Sequence, residues 1–453
     1  MTLLTELVAR LADVVCADPD VMEGYRRDRA SWAPAGLPLA LARPRNTREV
    51  QELARFATEH RVPLVPRGAG TGVAGGANAL DGCVVVSFER MNAILELDEA
   101  AMYAVVQPGV LNVELKQAAA QHGLWYSPDP SSFEISTLGG NVATNAGGLC
   151  CVKYGVTGDY VLGLEAVRSN GEVFRTGGRC RKDVAGYDLT RLLVGSEGSL
   201  ALITEMRLRL RRKPAPPSTF VALFGSLEAA GHATASIVRA FEPSLLELMD
   251  RTALRAVESH AHLDLDLDAA ALLVGQTDTE NSSQLLAMQN ACEAAGAHLA
   301  YSTEDPNEGE LLLKARRLAY PALERLGSVV IDDISVPLPQ LAEMLRRIEL
   351  VAAEHDVLVA TVAHAGDGNV HPLIVFDPND ESARVRAHAV FEQLLVEALA
   401  LGGTVSGEHG VGLIKAGYLR RQLDATSLEL HHAVKRAFDP LGILNPGKLL
   451  GSS

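Results

Sequence analysis

The sequence predicts an α+β fold that is divided into two principal domains. At 453 residues the chain is longer than one hydrophobic core usually supports. Prolines and charges interrupt the pattern at RRKPAPPS, residues 211–218, which we interpret as the boundary. We therefore expect a first domain over residues 38–213 and a second over 218–412, with helical segments at 1–37 and 413–453. The last segment should pack back on the first domain.

The first domain opens with a helix and continues mainly in strands. Asn46 and Glu49 form a capping box ahead of a helix with one apolar face. Asn170 and Gly171 supply the turn of a later hairpin. Short apolar runs predict further strands at PLVPR (63–67), CVVVSF (83–88), YAVVQ (103–107) and ALITEMRLRLR (201–211).

The second domain alternates strand-like runs with helical patterns. This alternation predicts an antiparallel sheet with helices on one side. The predicted strands are TFVALFG (219–225), LLELM (245–249), AALLVGQ (270–276), HLAYST (298–303), SVVIDDISV (328–336) and VLVATVAH (357–364).

The composition of the chain indicates which binding partners to exclude and which cellular compartment to expect. The net charge of -15 argues against nucleic acid or an anionic membrane as the main partner. No run approaches the roughly 18 apolar residues of a membrane span. The amphipathic start carries Glu6 and Asp13, unlike acid-poor transit peptides. The six cysteines show no Cys-x-x-Cys spacing, so we expect neither a disulfide framework nor an iron–sulfur cluster, and a cytoplasmic location fits.

Glycine-rich stretches in the first domain suit a large ligand. RGAGTGVAGG (67–76) and STLGGNVATNAGG (136–148) offer clustered backbone N–H groups that suit a pyrophosphate. One such stretch alone would be weak evidence, because glycines also serve tight turns. The spacing is neither a Walker A loop nor a Rossmann fingerprint. With VGSEGSLALIT (194–204), the two stretches predict a ligand held mainly by backbone groups.

AHAGDGNVHP, residues 363–372, predicts a hairpin in the second domain. Its flanks are strand-like, and Asp367-Gly368 is a strong signal for a two-residue turn. In that register His364 pairs directly with His371, which brings their Cβ atoms to roughly 4.5–5.5 Å. At such a distance two imidazoles can share one cation.

The residues alone leave two interpretations of this hairpin open. The histidines could bond to neighbouring groups in a purely structural role. Alternatively, Glu408 in GTVSGEHGVG (403–412) supplies an oxygen ligand, so that His364, His371 and Glu408 form a metal-binding set with open positions.

Several motifs resemble one flavoprotein family in the same order along the chain. PLVPRGAGTGVAGGA, PDPSS, STLGGNVATNAGG and VGSEGSLALIT resemble the FAD domain of the vanillyl-alcohol oxidase/p-cresol methylhydroxylase superfamily. HAGDGNVHP, SGEHGVG and FDPLGILNPGK resemble the FAD-linked 2-hydroxyacid dehydrogenases, which include D-lactate dehydrogenase, the FAD subunit of glycolate oxidase and D-2-hydroxyglutarate dehydrogenase. The resemblance covers roughly residues 38 to 450. It implies a two-part FAD-binding domain of the p-cresol methylhydroxylase type and a substrate, or cap, domain.

By this resemblance the first domain binds FAD through its glycine-rich motifs and the C-terminal Asn-Pro-Gly. The expected contact residues are Pro66, Arg67, Gly68, Ala69, Gly70, Thr71, Gly72, Gly75, Pro130, Ser131, Thr137, Gly140, Asn141, Thr144, Gly147, Glu197, Gly198, Ile203 and Asn445. Many superfamily members attach the flavin through a histidine in the first stretch. Gly70-Thr71-Gly72 stands there in this chain, so the FAD should be non-covalent.

The resemblance also assigns roles around the hairpin. His364, His371 and Glu408 would bind a divalent metal, and zinc, manganese, cobalt and iron all suit imidazole with carboxylate. His409 would be the general base, since imidazole titrates near neutral pH.

A carboxylate substrate also needs a guanidinium partner. By resemblance Arg316 takes this role with Tyr320 one turn along, whereas Arg317 reads as a solvated helix residue. The 2-hydroxyglutarate enzymes carry a lysine where this chain has Ile331. A second substrate carboxylate would lack its partner, which favours lactate or glycolate.

The implied activity is oxidation of a D-2-hydroxyacid to the 2-oxoacid by hydride transfer to flavin. The alternatives are a D-2-hydroxyglutarate dehydrogenase, a flavin-using transferase like the alkyl-dihydroxyacetonephosphate synthases, and a flavin-binding subunit of a larger oxidase complex. The transferases carry a run of histidines that this chain lacks near its hairpin. Without a cysteine relay, electrons should leave to a separate electron-transfer protein, quinone-linked subunit or cytochrome. A homodimer is one option for the assembly.

Overall fold

The computed structural model describes residues 2–30, 32–180, 182–279 and 282–451. The chain forms two compact units. The first unit comprises residues 1–147, 156–213 and 408–453, and the second comprises residues 148–155 and 214–407. The chain therefore enters the second unit twice, and nothing in the sequence pattern predicted the brief first visit at 148–155.

The described residues include every predicted strand, although the strand expected at 328–336 is split in two, and short helices at 138–144, 151–154 and 189–193 were not predicted. The helices are α1 (Leu3–Arg10), α2 (Pro19–Glu23), α3 (Thr47–His60), α4 (Asn112–Ala120), α5 (Leu138–Thr144), α6 (Cys151–Tyr154), α7 (Leu189–Leu193), α8 (Leu227–Ala240), α9 (Arg251–Ala261), α10 (Ser282–Ala294), α11 (Pro306–Glu324), α12 (Leu341–His355), α13 (Glu381–Ala400), α14 (Ala416–Gln422) and α15 (Ala425–Phe438). The strands are β1 (Val15–Cys16), β2 (Ala40–Ala42), β3 (Leu64–Arg67), β4 (Val84–Ser87), β5 (Ile94–Asp98), β6 (Tyr103–Val106), β7 (Leu124–Trp125), β8 (Val161–Val167), β9 (Val173–Gly177), β10 (Leu202–Arg209), β11 (Arg211–Arg212), β12 (Ser218–Phe224), β13 (Leu245–Asp250), β14 (Ala271–Thr277), β15 (Ala297–Thr303), β16 (Ser328–Ile331), β17 (Ile334–Ser335), β18 (Leu358–His364) and β19 (Asn369–Phe376). The α+β class is confirmed.

Two larger sheets organise the described part of the first unit, and β7 pairs with β11 in a third sheet of two strands. One has the order β1-β2-β4-β3, with β2 and β3 both parallel to β4, and the other is antiparallel with the order β5-β6-β10-β8-β9. Asn46 caps α3 as predicted, because its side chain accepts a hydrogen bond from the Glu49 amide at 3.1 Å. The predicted turn at Asn170-Gly171 joins β8 to β9, and Gly171 supplies a left-handed φ of +82°.

The second unit is built on one antiparallel sheet. Its strand order is β15-β12-β14-β13-β18-β19-β16, and β17 also pairs with β19. Helices cover both faces, not one face as expected. Ala360 and Val362 pack with α9 and α11, whereas Val359 and Thr361 face the opposite way, beside α12. Both faces are apolar along the central strands, so each needs a covering layer.

The β18–β19 hairpin differs from the predicted register. His364 pairs with Asn369, and His371 pairs with Val362, so the direct pairing of His364 with His371 is wrong. A 3-10 turn at Ala365–Asp367 lengthens the loop beyond two residues. The shift is by two positions on the partner strand, so both histidines keep the same face.

No helix among the described residues is long and apolar enough to cross a membrane.

Candidate functional site

The first two glycine-rich stretches approach one another through their backbones. A Cβ placed on Gly68 would lie less than 3.0 Å from Oγ1 of Thr137 and 3.5 Å from Cα of Gly140. Thr137 caps α5 and accepts a hydrogen bond from the Gly140 amide at 3.3 Å. Only glycine fits at position 68, and the three predicted residues lie together.

Arg67 anchors the first stretch. Its buried guanidinium donates to the Arg27 carbonyl at 2.9 Å and lies 5.8 Å from the centroid of the Tyr25 ring. Burial lowers the pKa of Arg67, and the nearby Asp28 carboxylate opposes that shift. Gly70 has φ +73°, and a Cβ there would collide with the same guanidinium. A buried cation beside a glycine loop suits an anionic ligand such as a phosphate.

The other predicted residues of these motifs differ in depth. Gly75, Pro130 and Gly147 are buried, Pro66, Thr71, Thr144 and Ile203 are partly buried, and Ala69, Gly72 and Ser131 are exposed. Thr144 Oγ1 donates to the Gly140 carbonyl at 3.2 Å, which ties the end of α5 to its start.

Glu197 ties the third stretch to the C-terminal segment of the same unit. Its carboxylate accepts hydrogen bonds from the amides of Val411 at 2.7 Å and Gly412 at 2.9 Å. Burial raises the pKa of Glu197 to about 7, although the two amides oppose the shift. Gly198 follows with φ +69°, and a Cβ there would overlap Pro66. Glu197 therefore holds the segment that follows Glu408 and His409.

Asn445 joins the first and third stretches. Its Nδ2 donates to the carbonyls of Gly76 at 3.0 Å and Glu197 at 2.7 Å. Among the residues that the structure describes, the buried Oδ1 of Asn445 has no hydrogen-bond partner, nor does the buried Nδ2 of Asn141. One acceptor and one donor among the predicted residues are thus available to a ligand.

These residues fit a flavin dinucleotide. The glycines leave backbone amides open to a pyrophosphate, Arg67 adds a buried positive charge, and two side-chain amides can bond polar groups of the ligand. Residues 68–76 contain only Gly, Ala, Thr and Val, which fits a non-covalent flavin.

In the second unit, a buried carboxylate lies directly across from the first hairpin histidine. Glu247 of β13 pairs in register with His364 of β18. Glu247 Oε1 lies 2.6 Å from His364 Nδ1, and both side chains are buried. We assign the proton of this contact to Nδ1, because a carboxylate accepts hydrogen bonds. His364 therefore presents Nε2 as its ligand atom.

The second hairpin histidine lies beside the first. The rings of His364 and His371 have centroids 5.0 Å apart in a T-shaped arrangement. One ring nitrogen of each lies within 4.8 Å of the other. Two imidazoles at this separation can ligate one divalent ion, so the pair fits a metal site.

The predicted substrate arginine joins the same carboxylate. Arg316 of α11 donates from Nε to Glu247 Oε2 at 2.7 Å, and its side chain is 11% exposed. Arg317 points to solvent and pairs with the exposed Glu310. Tyr320 is partly buried and packs against the apolar core of the unit. Arg316 and His364 thus contact the same carboxylate, that of Glu247, whereas Arg317 does not.

Asp333 links the hairpin to the turn before Glu408. Its Oδ1 accepts from Asn369 Nδ2 at 2.8 Å, and its Oδ2 accepts from Ser406 Oγ at 2.8 Å and the Gly407 amide at 3.0 Å. Asp333 is fully buried, and its Oδ1 lies 3.8 Å from His371 Nδ1. The Asp333 carboxylate therefore positions Asn369 of the hairpin and the turn at Ser406 and Gly407 relative to each other.

Glu408 follows Gly407 directly and begins the segment assigned to the first unit. Glu408 Oε1 lies 3.5 Å from His409 Nε2. The Glu408 side chain is 11% exposed and that of His409 is 26% exposed. Their roles as metal ligand and general base stay predictions.

Two site residues, Glu247 and Asp333, were not predicted from the sequence. Each had a signal, since an isolated acid in an apolar strand, as in LLELM, needs a buried partner. The adjacent acids of VVIDDISV carry the same signal.

Two family models match the chain. A model described as "FAD binding domain" matches residues 38–177, and one described as "FAD linked oxidases, C-terminal domain" matches residues 213–449. The glycolate oxidase subunit GlcD of Bacillus subtilis is 42% identical over 91% of this chain and 89% of its own length. The D-lactate dehydrogenase of Archaeoglobus fulgidus is 35% identical over 90% of this chain and 91% of its own length.

A solved structure supports the fold. Substrate-bound p-cresol methylhydroxylase superposes with a TM-score of 0.81, covering 99% of this chain and 96% of that one at 18% identity. At this identity the likeness shows the fold alone, and the expected p-cresol methylhydroxylase-type fold is confirmed.

Proposed function

This chain belongs to the FAD-linked oxidases, an oxidoreductase family, and we propose that it uses FAD and a divalent metal to oxidise D-lactate or glycolate to the 2-oxoacid. Two relatives carry names that support this substrate class, a glycolate oxidase subunit and a D-lactate dehydrogenase. The observation that carries the proposal is the contact of His364 and Arg316 with the one buried carboxylate of Glu247. A 2-hydroxyacid has a carboxylate, which an arginine can bind, and a hydroxyl, which a metal held by histidine can bind.

The substrate carboxylate would bind the terminal nitrogens of Arg316, since Nε is engaged with Glu247. His364, through Nε2, His371 and Glu408 would hold the metal. A divalent metal bound there would lower the pKa of the substrate hydroxyl and help to orient the acid.

Oxidation breaks the O–H and α-C–H bonds of the substrate and forms a C=O bond. We assign the hydroxyl proton to the imidazole of His409. FAD, when bound, supplies the acceptor for the α-hydrogen and its electron pair. The glycine-rich motifs of the first unit would hold this cofactor, with the side-chain amides of Asn141 and Asn445 bonding its polar groups.

A small monocarboxylate suits this chain better than 2-hydroxyglutarate. Ile331 on β16 packs against the apolar core of the second unit, where the 2-hydroxyglutarate enzymes carry a lysine. A second carboxylate would meet a hydrocarbon side chain and lose its solvation without compensation.

Electrons would leave the reduced flavin to a separate acceptor protein. One relative is named as a subunit, which supports a partner chain. A homodimer and a cytoplasmic location stay predictions.

A reductive titration tests the proposed function. The purified flavoprotein is mixed without oxygen with D-lactate, L-lactate, glycolate or D-2-hydroxyglutarate, and flavin absorbance is followed. Bleaching by D-lactate or glycolate but not by L-lactate supports the proposal. Bleaching only by D-2-hydroxyglutarate would contradict the substrate assignment, and no bleaching by any acid would contradict the reaction.

A further inference from the structure

We propose that Glu247 is a positioning residue that makes metal binding at His364 and carboxylate binding at Arg316 mutually dependent. The inference rests on the proposed function, because it concerns the same site. Glu247 is 1% exposed, and among the described residues each of its oxygens has one partner: Oε1 meets His364 Nδ1 at 2.6 Å and Oε2 meets Arg316 Nε at 2.7 Å. The carboxylate is therefore shared between the two binding groups.

The contact with His364 sets which nitrogen can bind a cation. With Nδ1–H donating to Glu247, Nε2 keeps its lone pair for a metal. A negative partner on the far side of the ring also makes the imidazole a stronger ligand. If this contact is lost, the ring can take the other tautomer, in which Nε2 carries the proton and cannot bind metal.

The contact with Arg316 sets the direction of the guanidinium. Arg316 comes from α11, whereas Glu247 and His364 lie on neighbouring strands, so the carboxylate joins a helix to the sheet. With Nε held, the planar group keeps its terminal nitrogens in one orientation. Because only 11% of the Arg316 side chain is exposed, its conformation is restricted before a ligand binds, and less ordering is needed on binding.

Sharing one carboxylate couples the two events. A cation on Nε2 polarises the imidazole and strengthens its hydrogen bond to Oε1. A substrate carboxylate on Arg316 fixes the guanidinium against Oε2. Each event strengthens one of the two contacts that orient Glu247 and so restrains the carboxylate further in the position that the other event requires, which makes the second event more favourable. Coupling in proteins typically changes affinity by about 5- to 150-fold.

The structural alternative is a buried ion network that only stabilises the fold. In that case Glu247→Gln would lower the unfolding temperature, but the folded variant would bind metal as the parent does. The affinity for metal, and the change in that affinity when a carboxylate ligand is added, therefore distinguish a positioning role of Glu247 from a purely structural one.

The test is Mn²⁺ binding to the metal-depleted flavoprotein, followed by electron paramagnetic resonance with and without pyruvate. For the parent protein we expect pyruvate to tighten Mn²⁺ binding at least about fivefold. Glu247→Gln should weaken Mn²⁺ binding by about 10- to 100-fold and abolish the effect of pyruvate. Arg316→Met should keep Mn²⁺ affinity within about threefold but also lose the effect of pyruvate. Glu310→Gln, at the exposed partner of Arg317, is the matched control and should behave as the parent.

Unchanged Mn²⁺ affinity in folded Glu247→Gln, or a persisting effect of pyruvate, would overturn the inference. If Glu247→Gln does not fold, Arg316→Met decides, because a pyruvate effect that survives in it excludes the coupling. A parent protein that binds no Mn²⁺, Zn²⁺ or Co²⁺ would instead refute the metal site of the proposed function, and the inference with it.

Discussion

Asp333 and Asn369 are joined by a hydrogen bond of 2.8 Å between two buried side chains. Asn369 lies two residues before His371, and the other oxygen of Asp333 holds Ser406 and Gly407, just before Glu408. One carboxylate thus fixes the backbone beside two predicted metal ligands. Partners of this kind set the orientation of a metal site without binding the ion.

Replacing Asp333 should weaken the metal site. Asp333→Asn keeps the volume, but its Nδ2 cannot accept from the Gly407 amide or the Ser406 hydroxyl. We expect metal affinity to fall by about 10- to 100-fold, measured as metal content after equilibrium dialysis. Asp377→Asn, in an exposed turn, is the control and should retain parental metal content. Equal metal content in the two folded variants would contradict a positioning role.

Gly68→Ala should reduce FAD content. The new methyl would overlap Oγ1 of Thr137, so the first two glycine-rich stretches would have to separate. The ratio of flavin to protein absorbance after purification measures the effect, and we expect a fall of at least about tenfold in FAD affinity. Gly417→Ala is the control, because no atom lies within 4 Å of the added Cβ. It should keep full flavin and gain roughly 0.5–1 kcal/mol in a helix. Full flavin content in Gly68→Ala would show that FAD binding does not need the close approach of the first two glycine-rich stretches.

Neighbouring arginines on α11 should respond differently to substitution. Arg316→Ala removes the guanidinium bound to Glu247, whereas Arg317→Ala removes one that pairs with exposed Glu310. A charged hydrogen bond is worth about 1.5–3 kcal/mol, so KM for the hydroxyacid should rise by about 10- to 150-fold in Arg316→Ala. Arg317→Ala should stay within about twofold of the parent in steady-state assays. Similar KM values for both variants would contradict the substrate role of Arg316.

The stability of the second unit should fall as pH rises toward neutrality. Asp250 is buried and accepts hydrogen bonds from the amides of Ala253 and Thr361, both at 2.8 Å. Burial raises its pKa to about 7, opposed by these amides, while Glu349 beside it raises it further. The pKa of Asp250 is higher in the folded protein than in the unfolded one, so protonation of Asp250 stabilises the fold. This stabilisation is complete below about pH 4 and is lost as the pH rises through 7.

Asp250→Asn tests this titration. Asparagine still caps α9 through Oδ1 but carries no titrating proton. We expect the unfolding free energy of the parent to fall by roughly 2–4 kcal/mol relative to Asp250→Asn between pH 4 and 7. Parallel pH curves from denaturant titrations would show that Asp250 does not titrate in this window.

The sequence predicts the elements and motifs well because both are local. Asn46, the Asn170-Gly171 turn and the alternating strands follow from hydrogen-bond and burial rules over a few residues. The hairpin register failed because a two-residue turn was assumed, whereas Gly366 and Asp367 take part in a 3-10 turn. Such a turn depends on what packs around it, which local pattern does not contain.

The role of Glu247 was out of reach for a different reason. Its partner His364 is more than a hundred residues away, and they meet only because β13 lies next to β18 in the sheet. Arg316 joins them from α11, on the face shared with α9. Strand order and the two-sided helix cover are set by the whole unit, so neither follows from reading adjacent segments.

Oxidation of the hydroxyacid should require a metal held by His364 and His371. The most direct measurement is the rate of anaerobic flavin bleaching by D-lactate and by glycolate, before chelation, after chelation and after return of Zn²⁺ or Mn²⁺. His371→Ala is compared with His388→Ala, an exposed histidine on α13. We predict that bleaching disappears with chelation, returns with metal in the parent and in His388→Ala, and stays absent in His371→Ala. Bleaching that survives complete metal removal would show that the oxidation needs no metal and would leave the two histidines a structural role.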